Sequence, residues 1–307
     1  VIIDGFEVSV PKGTLVIRAA EQLGIQIPRF CDHPLLEPVG ACRQCLVDIE
    51  INGRAFPKPQ ASCTIPVEPG MIVKTQLTSP VAEKAQRGVM ELLLVNHPLD
   101  CPVCDQAGEC DLQNLAYEHG KSTTRYEFER RTFDKVDIGE YIKLHMTRCI
   151  LCYRCVYTAN QLTDKREHGV LKRGDAAEIG TFIEKNLKND FIGNVIDVCP
   201  VGALTDKTFR FRSRVWYTKP MDAHRACKCC SSKAVVWMIG DEIARVTARK
   251  DQYGEVKEFI CNECRFEKKE KSDWIIEGPR HIERSSVISA NHYEVDAPAH
   301  TPLLNKA

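Results

Sequence analysis

Short apolar runs broken by turn residues open the chain. Residues 1–3 and 6–10 flank Asp4-Gly5 and read as a β-hairpin. Pro11-Lys12-Gly13 makes a turn, and Thr14 can cap a helix running to about Leu23, closed by Gly24. Residues 45–51 alternate as a strand does, Asn52-Gly53 is a second hairpin signal, and residues 71–74 form another short strand. The pattern predicts a small mixed α+β unit over residues 1–78. Ser79 as cap and Pro80 in the first helical position then open a helix to about Val95, with Val81, Ala85, Val89, Leu92 and Leu93 as its apolar stripe. Pro98 stops it, and the unit that begins at 79 extends to 135, through a polar stretch from Lys121 to Arg131. A third unit covers 136–220. A fourth, 221–274, contains the strand-like run 234–239, and the polar residues 275–307, with Pro279, Pro298 and Pro302, read as an extended tail. The predicted class is α+β, in several domains.

Composition narrows the possible chemistry. The 307 residues contain no apolar run near the roughly 20 residues that a membrane-spanning helix needs. The first ten residues alternate like a strand, with no charged-then-apolar leader, and the start at Val1 implies that at least one residue precedes it. With 42 basic and 42 acidic residues, the formal charge is zero, which speaks against nucleic acid as a partner. The decisive count is 16 cysteines in tight groups. In a chain of this length without an export signal, grouped thiols point to metal binding in a reducing compartment, not to disulfides.

The first group is Cys31, Cys42, Cys45 and Cys63, with gaps of ten, two and seventeen residues. A close pair with one thiolate on each side, in a mixed domain, suits a [2Fe–2S] cluster, although the plant-type first gap is four. Gly40-Ala41 ahead of Cys42 lets backbone N–H groups approach inorganic sulfide. The second group is His97, Cys101, Cys104 and Cys110. Imidazole and thiolate both bind iron or zinc, and replacing one thiolate by neutral imidazole makes a site less negative and raises its potential. The third group is Cys149, Cys152 and Cys155 at two-residue gaps, followed by a distant Cys199-Pro200, the two halves of a bacterial [4Fe–4S] pattern. A second cluster there would need cysteines at 159, 189, 192 and 195, which are Ala159, Asn189, Ile192 and Val195. One cluster is therefore expected.

The fourth group, Cys227, Cys230, Cys261 and Cys264, pairs two Cys-x-x-Cys turns and leaves Cys229 over. That spacing suits zinc as well as a [4Fe–4S] cluster. Other motifs fail. Gly120-Lys121-Ser122 lacks the first glycine of a phosphate loop, since Leu115 stands there, and no dinucleotide fingerprint is present. No catalytic residue is expected.

Longer strings carry a family resemblance. Ile27-Pro28-Arg29-Phe30-Cys31, Gly40-Ala41-Cys42-Arg43-Gln44-Cys45-Leu46-Val47, Asn96-His97-Pro98-Leu99-Asp100-Cys101-Pro102-Val103-Cys104-Asp105, Met146-Thr147-Arg148-Cys149-Ile150 and Asn194-Val195-Ile196-Asp197-Val198-Cys199-Pro200-Val201-Gly202-Ala203-Leu204-Thr205 resemble the G-subunit family of respiratory complex I, over about residues 1–218. The resemblance implies a β-grasp [2Fe–2S] ferredoxin domain with Cys31, Cys42, Cys45 and Cys63 as ligands. It implies a small helical domain with a [4Fe–4S] cluster on His97, Cys101, Cys104 and Cys110, and a ferredoxin-like domain with another on Cys149, Cys152, Cys155 and Cys199. It implies electron relay from an NADH-binding flavin subunit towards quinone in a proton-pumping NADH:quinone oxidoreductase. The partners would be that flavin subunit and other iron–sulfur subunits of the peripheral arm. The chain would sit on the cytoplasmic side of the inner membrane, touching membrane only through its partners, with no NADH or quinone site of its own.

Two departures stand out. The family's large molybdopterin-enzyme-like domain is expected to be absent, because about 40 residues follow Cys264. Some members bind a further cluster through a three-plus-one cysteine arrangement; here Ala234 replaces the third ligand and Cys264 is extra, so the fourth group could hold a third [4Fe–4S] cluster or one zinc. The competing functions are the relay subunit of a soluble NAD-linked hydrogenase, which shares the His-and-three-Cys motif, and a zinc-stabilised interaction protein.

Overall fold

The computed structural model describes residues 1–127, 129–162, 167–181 and 186–280. Asp4 and Gly5 both adopt left-handed backbone, φ 51° and 90°, and so turn β1 (Ile2–Ile3) back onto β2 (Phe6–Glu7). Helix α1 (Val16–Gln22) starts one residue later than its sequence suggests. Leu15 occupies the cap position and supplies no side-chain bond, while the Thr14 carbonyl accepts from the Val67 N–H at 2.8 Å and is held in extended pairing. Then come β3 (Leu46–Ile51), β4 (Arg54–Ala55), β5 (Gln60–Ala61) and β6 (Met71–Lys74). They form a sheet in the order β2-β1-β6-β3-β4, with β5 also against β3; β1 and β6 run parallel. Ile49 pairs with Val73 in this sheet, and both are buried in one core with Val16, Ile17 and Ala20 of α1.

Helix α2 (Pro80–Val95) is capped as expected: Ser79 Oγ accepts from the Ala82 N–H at 3.1 Å. Its buried face is not the expected stripe. Ala82, Gln86, Met90 and Glu91 face inward, whereas Val81 and Leu92 are exposed. The rotation has a polar cause. Gln86 Nε2 donates to the Leu46 carbonyl at 2.9 Å, and Gln44 Nε2 donates to the Gln86 carbonyl at 3.2 Å. Hydrogen bonds hold the helix on β3, and a count of apolar positions cannot register them.

Helix α3 (Asp111–His119) follows, then β7 (Lys135–Asp137), β8 (Ile142–His145), α4 (Arg154–Leu162), β9 (His168–Leu171), β10 (Glu178–Thr181), α5 (Asn194–Val198) and β11 (Leu204–Asp206). Strands β11-β8-β7 make one antiparallel sheet and β9-β10 a hairpin. The chain ends, as described, in a four-stranded antiparallel sheet, β14-β13-β12-β15, built from β12 (Lys219–His224), β13 (Lys233–Ile239), β14 (Glu242–Ala248) and β15 (Ile275–Pro279). The expected tail is therefore strand over its first five residues; positions 281–307 lie outside the described residues.

The units share their interiors. One core runs from Ile3 through Met90 and Leu112 to Leu204, and a second joins the last sheet to Val198 and to half-buried Leu35. Among the described residues, no helix is long and apolar enough to cross a membrane.

Candidate metal centres

The first group lies where α1, the following loop and β3 meet. Cys31, Cys42, Cys45 and Cys63 are all buried. The Cys31 thiol meets those of Cys42 and Cys63, and Cys63 meets Cys45. The N–H groups of Cys31 and Gln44 point at Cys42 Sγ from 3.4 and 3.5 Å. Gly40 (φ 67°) and Arg43 (φ 60°) take left-handed backbone around this loop, and a Cβ on Gly40 would press on Thr64 Cγ2 at 2.9 Å. Hydrogen bonding from Cys42 and Cys63 lowers the Cys31 pKa, while the Cys31 bond and burial raise that of Cys42. Four interlocked buried thiols, with N–H groups aimed at sulfur, fit a two-iron cluster.

Cys149, Cys152, Cys155 and Cys199 converge between α4 and α5. Leu151 (φ 53°) and Tyr153 (φ 65°) hold the loop in a conformation that costs about 1–2 kcal/mol per residue. Burial pushes all four thiols upward, Cys152 to about 12, and their charges oppose one another. Thiolates gathered here would need compensating positive charge, which iron bound by them would supply. Ala159, Ile192 and Val195 pack into the apolar core, and Asn189 Nδ2 donates to the Leu162 carbonyl at 2.8 Å. Packing and a backbone bond thus occupy the positions where a second cluster would need ligands.

The second group is more open. Cys101 is exposed, Cys104 buried and Cys110 half-buried at the start of α3. His97 Nδ1 is buried without a protein partner, and burial lowers the imidazole to about 4. A neutral ring with an unpaired nitrogen fits a ligand role. Burial, with the neighbouring Cys101 and Cys104, raises Cys104 and Cys110; Asp100, Arg148 and Arg130 face the His97 imidazole.

The three groups adjoin. Cys110 Sγ lies 3.8 Å from the Pro200 carbonyl oxygen, which also accepts from the Asp111 N–H at 3.1 Å. A Cβ on Gly202 would overlap Cys104 Sγ. Buried Arg148 donates to Asp100 at 2.5 and 2.8 Å, tying the second loop to the third. The first and third groups meet where Asp32, next to Cys31, and Val198, next to Cys199, share one partner. Between them, buried Arg154 binds Glu255 at 2.8 Å and the carbonyls of Asp32 and Val198, while Arg29 also meets Glu255 at 3.4 Å.

In the fourth group, Cys227 and Cys230 sit in the loop between β12 and β13, and Cys261 and Cys264 at the π-helical turn Glu263–Glu267. The sulfurs of Cys227 and Cys261 are 3.8 Å apart, those of Cys230 and Cys264 3.7 Å, and all four lie within 4.8 Å of one another. Cys229 is exposed, with its sulfur beside Cys227 and Cys261.

Sequence reasoning did not anticipate the supporting residues. Arg148 and Arg154 flank cysteines, a signal that was available; Glu255 and Arg245, whose guanidinium grips Glu109 through two 2.7 Å bonds, had none. Part of the polar stretch that follows α3 straps α2. Arg125 pairs with Glu91 at 3.1 Å, and Arg130 Nε donates to the Val95 carbonyl at 3.2 Å.

Comparison with known proteins agrees with this arrangement. Three family profiles match: a 2Fe-2S iron-sulfur cluster binding domain over residues 1–78, the NADH-ubiquinone oxidoreductase-G iron-sulfur binding region over 86–125, and the NADH-quinone oxidoreductase subunit 3 ferredoxin-like domain over 139–205. The chain is 52% identical over 271 residues to the G subunit of the NADH-quinone oxidoreductase of Streptomyces coelicolor, covering 86% of this chain and 31% of that protein. It is 45% identical over 267 residues to the mitochondrial NADH dehydrogenase [ubiquinone] iron-sulfur protein 1 of Solanum tuberosum, covering 87% and 35%. It thus spans about a third of the length of these curated relatives. Among solved structures, a chain of an NAD+-reducing [NiFe]-hydrogenase in the H2-reduced state matches with a TM-score of 0.59 and 30% identity, over 69% of this chain and 89% of that one. With a [2Fe–2S] domain, [4Fe–4S] binding regions and a four-cysteine site in one mixed helix-and-sheet chain, this protein belongs to the G-subunit family of the NADH-quinone oxidoreductases.

Proposed function

We propose that the chain is an electron relay of a proton-pumping NADH:quinone oxidoreductase, passing electrons from an NADH-binding flavin subunit towards quinone. The observation that carries this reading is the contact between the second and third groups: Cys110 Sγ lies against the Pro200 carbonyl and Cys104 Sγ against Gly202. The ligands would be Cys31, Cys42, Cys45 and Cys63 for [2Fe–2S], and His97, Cys101, Cys104 and Cys110 for one [4Fe–4S]. Cys149, Cys152, Cys155 and Cys199 would hold the other. The domains would be a β-grasp ferredoxin unit at 1–78, a His-and-three-Cys unit at 79–135, a ferredoxin-like unit at 136–220 and a small cysteine-rich unit from 221. Bound clusters would supply one-electron oxidation and reduction.

The chain's own part is electrostatic and geometric. Burial keeps water from the first and third groups. Arg148 stands by the second group on Asp100 and Arg154 by the third on Glu255, so each cation is held in place by a carboxylate. Neutral His97 contributes no charge where a thiolate would add one. The partners would be the flavin subunit and other peripheral-arm iron–sulfur subunits, on the cytoplasmic side of the inner membrane. The hydrogenase relay ranks second: identity is 52% to the oxidoreductase relative and 30% to the hydrogenase chain.

The test is anaerobic reduction of the iron-loaded chain, followed by EPR. Dithionite should reveal one [2Fe–2S] and two [4Fe–4S] signals. NADH alone should leave them oxidised, and NADH with the flavin subunit of an NADH:quinone oxidoreductase should reduce them. Reduction by NADH with no second protein, or none with the flavin subunit present, would refute the relay role.

A further inference from the structure

We infer that Cys227, Cys230, Cys261 and Cys264 hold a single zinc ion, and that this ion is a structural clasp outside the electron path. Four thiolates arranged tetrahedrally around one zinc, with Zn–S of about 2.3 Å, have S···S edges of about 3.8 Å. The paired sulfurs stand 3.8 and 3.7 Å apart, and every pair of the four lies within 4.8 Å. In a [4Fe–4S] cluster each protein sulfur binds a different iron, so the four must stand outside the whole cube of iron and sulfide. They cannot all come as close as around one ion. Among the described residues, the sulfurs of the other three groups do not form such a compact set. This is the group, among the described residues, whose ligand atoms all close to the size of one ion.

The surroundings match a tetrathiolate ion, whose net charge is negative by two. The Cys229 N–H points at Cys227 Sγ from 3.4 Å and the Ser232 N–H at Cys230 Sγ from 3.3 Å. Arg225 Nη1 donates to Cys264 Sγ at 3.0 Å and brings positive charge. These contacts orient the sulfurs and spread their charge, as outer partners do in zinc sites. Position 234, where a three-plus-one cluster would need a sulfur, is alanine inside strand β13, opposite Ala223 and Ala248. Zinc has one stable oxidation state, so the site carries no electrons.

Its purpose is mechanical. The ion would join the β12–β13 loop to the π-helical turn. From that turn, Arg265 reaches Asp197 at 2.7 Å and Asn194 at 2.9 Å in α5, just before Cys199. The clasp thus holds a positioning residue, Arg265, against the helix that presents the last ligand of the third group.

This inference concerns a site that the relay reading does not use, so the two fail separately. Metal analysis and zinc X-ray absorption on the full, iron-loaded chain decide it. The expected result is one zinc per chain, with a first shell of four sulfurs at about 2.3 Å, alongside about ten irons. Cys261→Ser should lose the zinc, and Cys229→Ser should keep it. About fourteen irons with no zinc, a zinc shell containing nitrogen or fewer than four sulfurs, or zinc lost from Cys229→Ser would overturn the clasp. If Cys261→Ser fails to fold, the absorption spectrum of the unaltered chain still decides. Missing EPR signals from the other groups would sink the relay reading and leave the zinc result standing.

Discussion

The third and fourth cysteine groups use the same ligand count in opposite ways. Around Cys149, Cys152, Cys155 and Cys199, burial raises every thiol, with Cys152 at about 12. At the fourth group burial likewise raises Cys230, Cys261 and Cys264, but at Cys227 N–H bonds from Cys229 and Cys230 overrule it and bring that thiol to about 6. Arg225 bonds a sulfur directly there; the cation next to the third group, Arg154, is spent on Glu255 and two carbonyls. One site is insulated and depends on what it binds for charge balance. The other is half-buried at Cys227 and Cys230 and takes part of its balance from Arg225 and backbone N–H groups. The number of cysteines does not distinguish them; the depth and the company of each sulfur do.

The largest effect should come from opening the insulated site. Cys152→Ala removes one ligand and should cost the chain about four irons and one [4Fe–4S] EPR signal, with the [2Fe–2S] signal kept. Equal iron content in mutant and parent would show that the group is not a ligand set.

Next is the charge lock beside it. Glu255→Gln removes the carboxylate that pairs with buried Arg154, while Arg29 keeps Glu21 and Asp32, and should lower stability by about 3–5 kcal/mol in denaturant titration. The parent should also show an acid dependence that this variant lacks. Burial alone would raise the Glu255 carboxyl, but Arg154, Arg29 and His33 bring it from 4.5 to about 2. A depressed acid stabilises fully above its unfolded value, and that contribution drains away as pH falls from about 4.5 towards 2. Matching acid profiles for the two proteins would break the assignment.

Charge at the half-open second group should matter less. His97→Cys adds a thiolate and should lower that cluster's midpoint by on the order of 100 mV in a redox titration. A rise would contradict the charge argument. Smallest is Gly202→Ala, whose Cβ collides with Cys104 Sγ; a loss of about 1–3 kcal/mol is expected. It should perturb the second group's EPR line shape and leave the zinc content unchanged.

Much of this was legible in the residues because metal sites are written in spacing. Cysteine gaps pointed to the groups, and Asp4-Gly5, Asn52-Gly53 and Ser79-Pro80 marked turns and a helix start that the structure contains. The buried face of α2 was not legible, since Gln86 and Gln44 set it through hydrogen bonds across the sheet. Thr14 was misread for a related reason: pairing with Val67 outweighed its capping propensity. Glu255 lies a hundred residues from Arg154, and nothing local marks it. Zinc and cluster could not be separated at the fourth group because they share ligands and differ only in how far apart those ligands stand.

The wall between the second and third groups bears on how such chains can change over generations. Pro200 offers one carbonyl to Asp111 and lies against Cys110, while Gly202 yields its side-chain space to Cys104. A crossover near residue 135 would set one lineage's cysteine loop against another lineage's Pro200 and Gly202. A change in either loop is therefore felt in the packing of the other, although the chain folds them from separate segments.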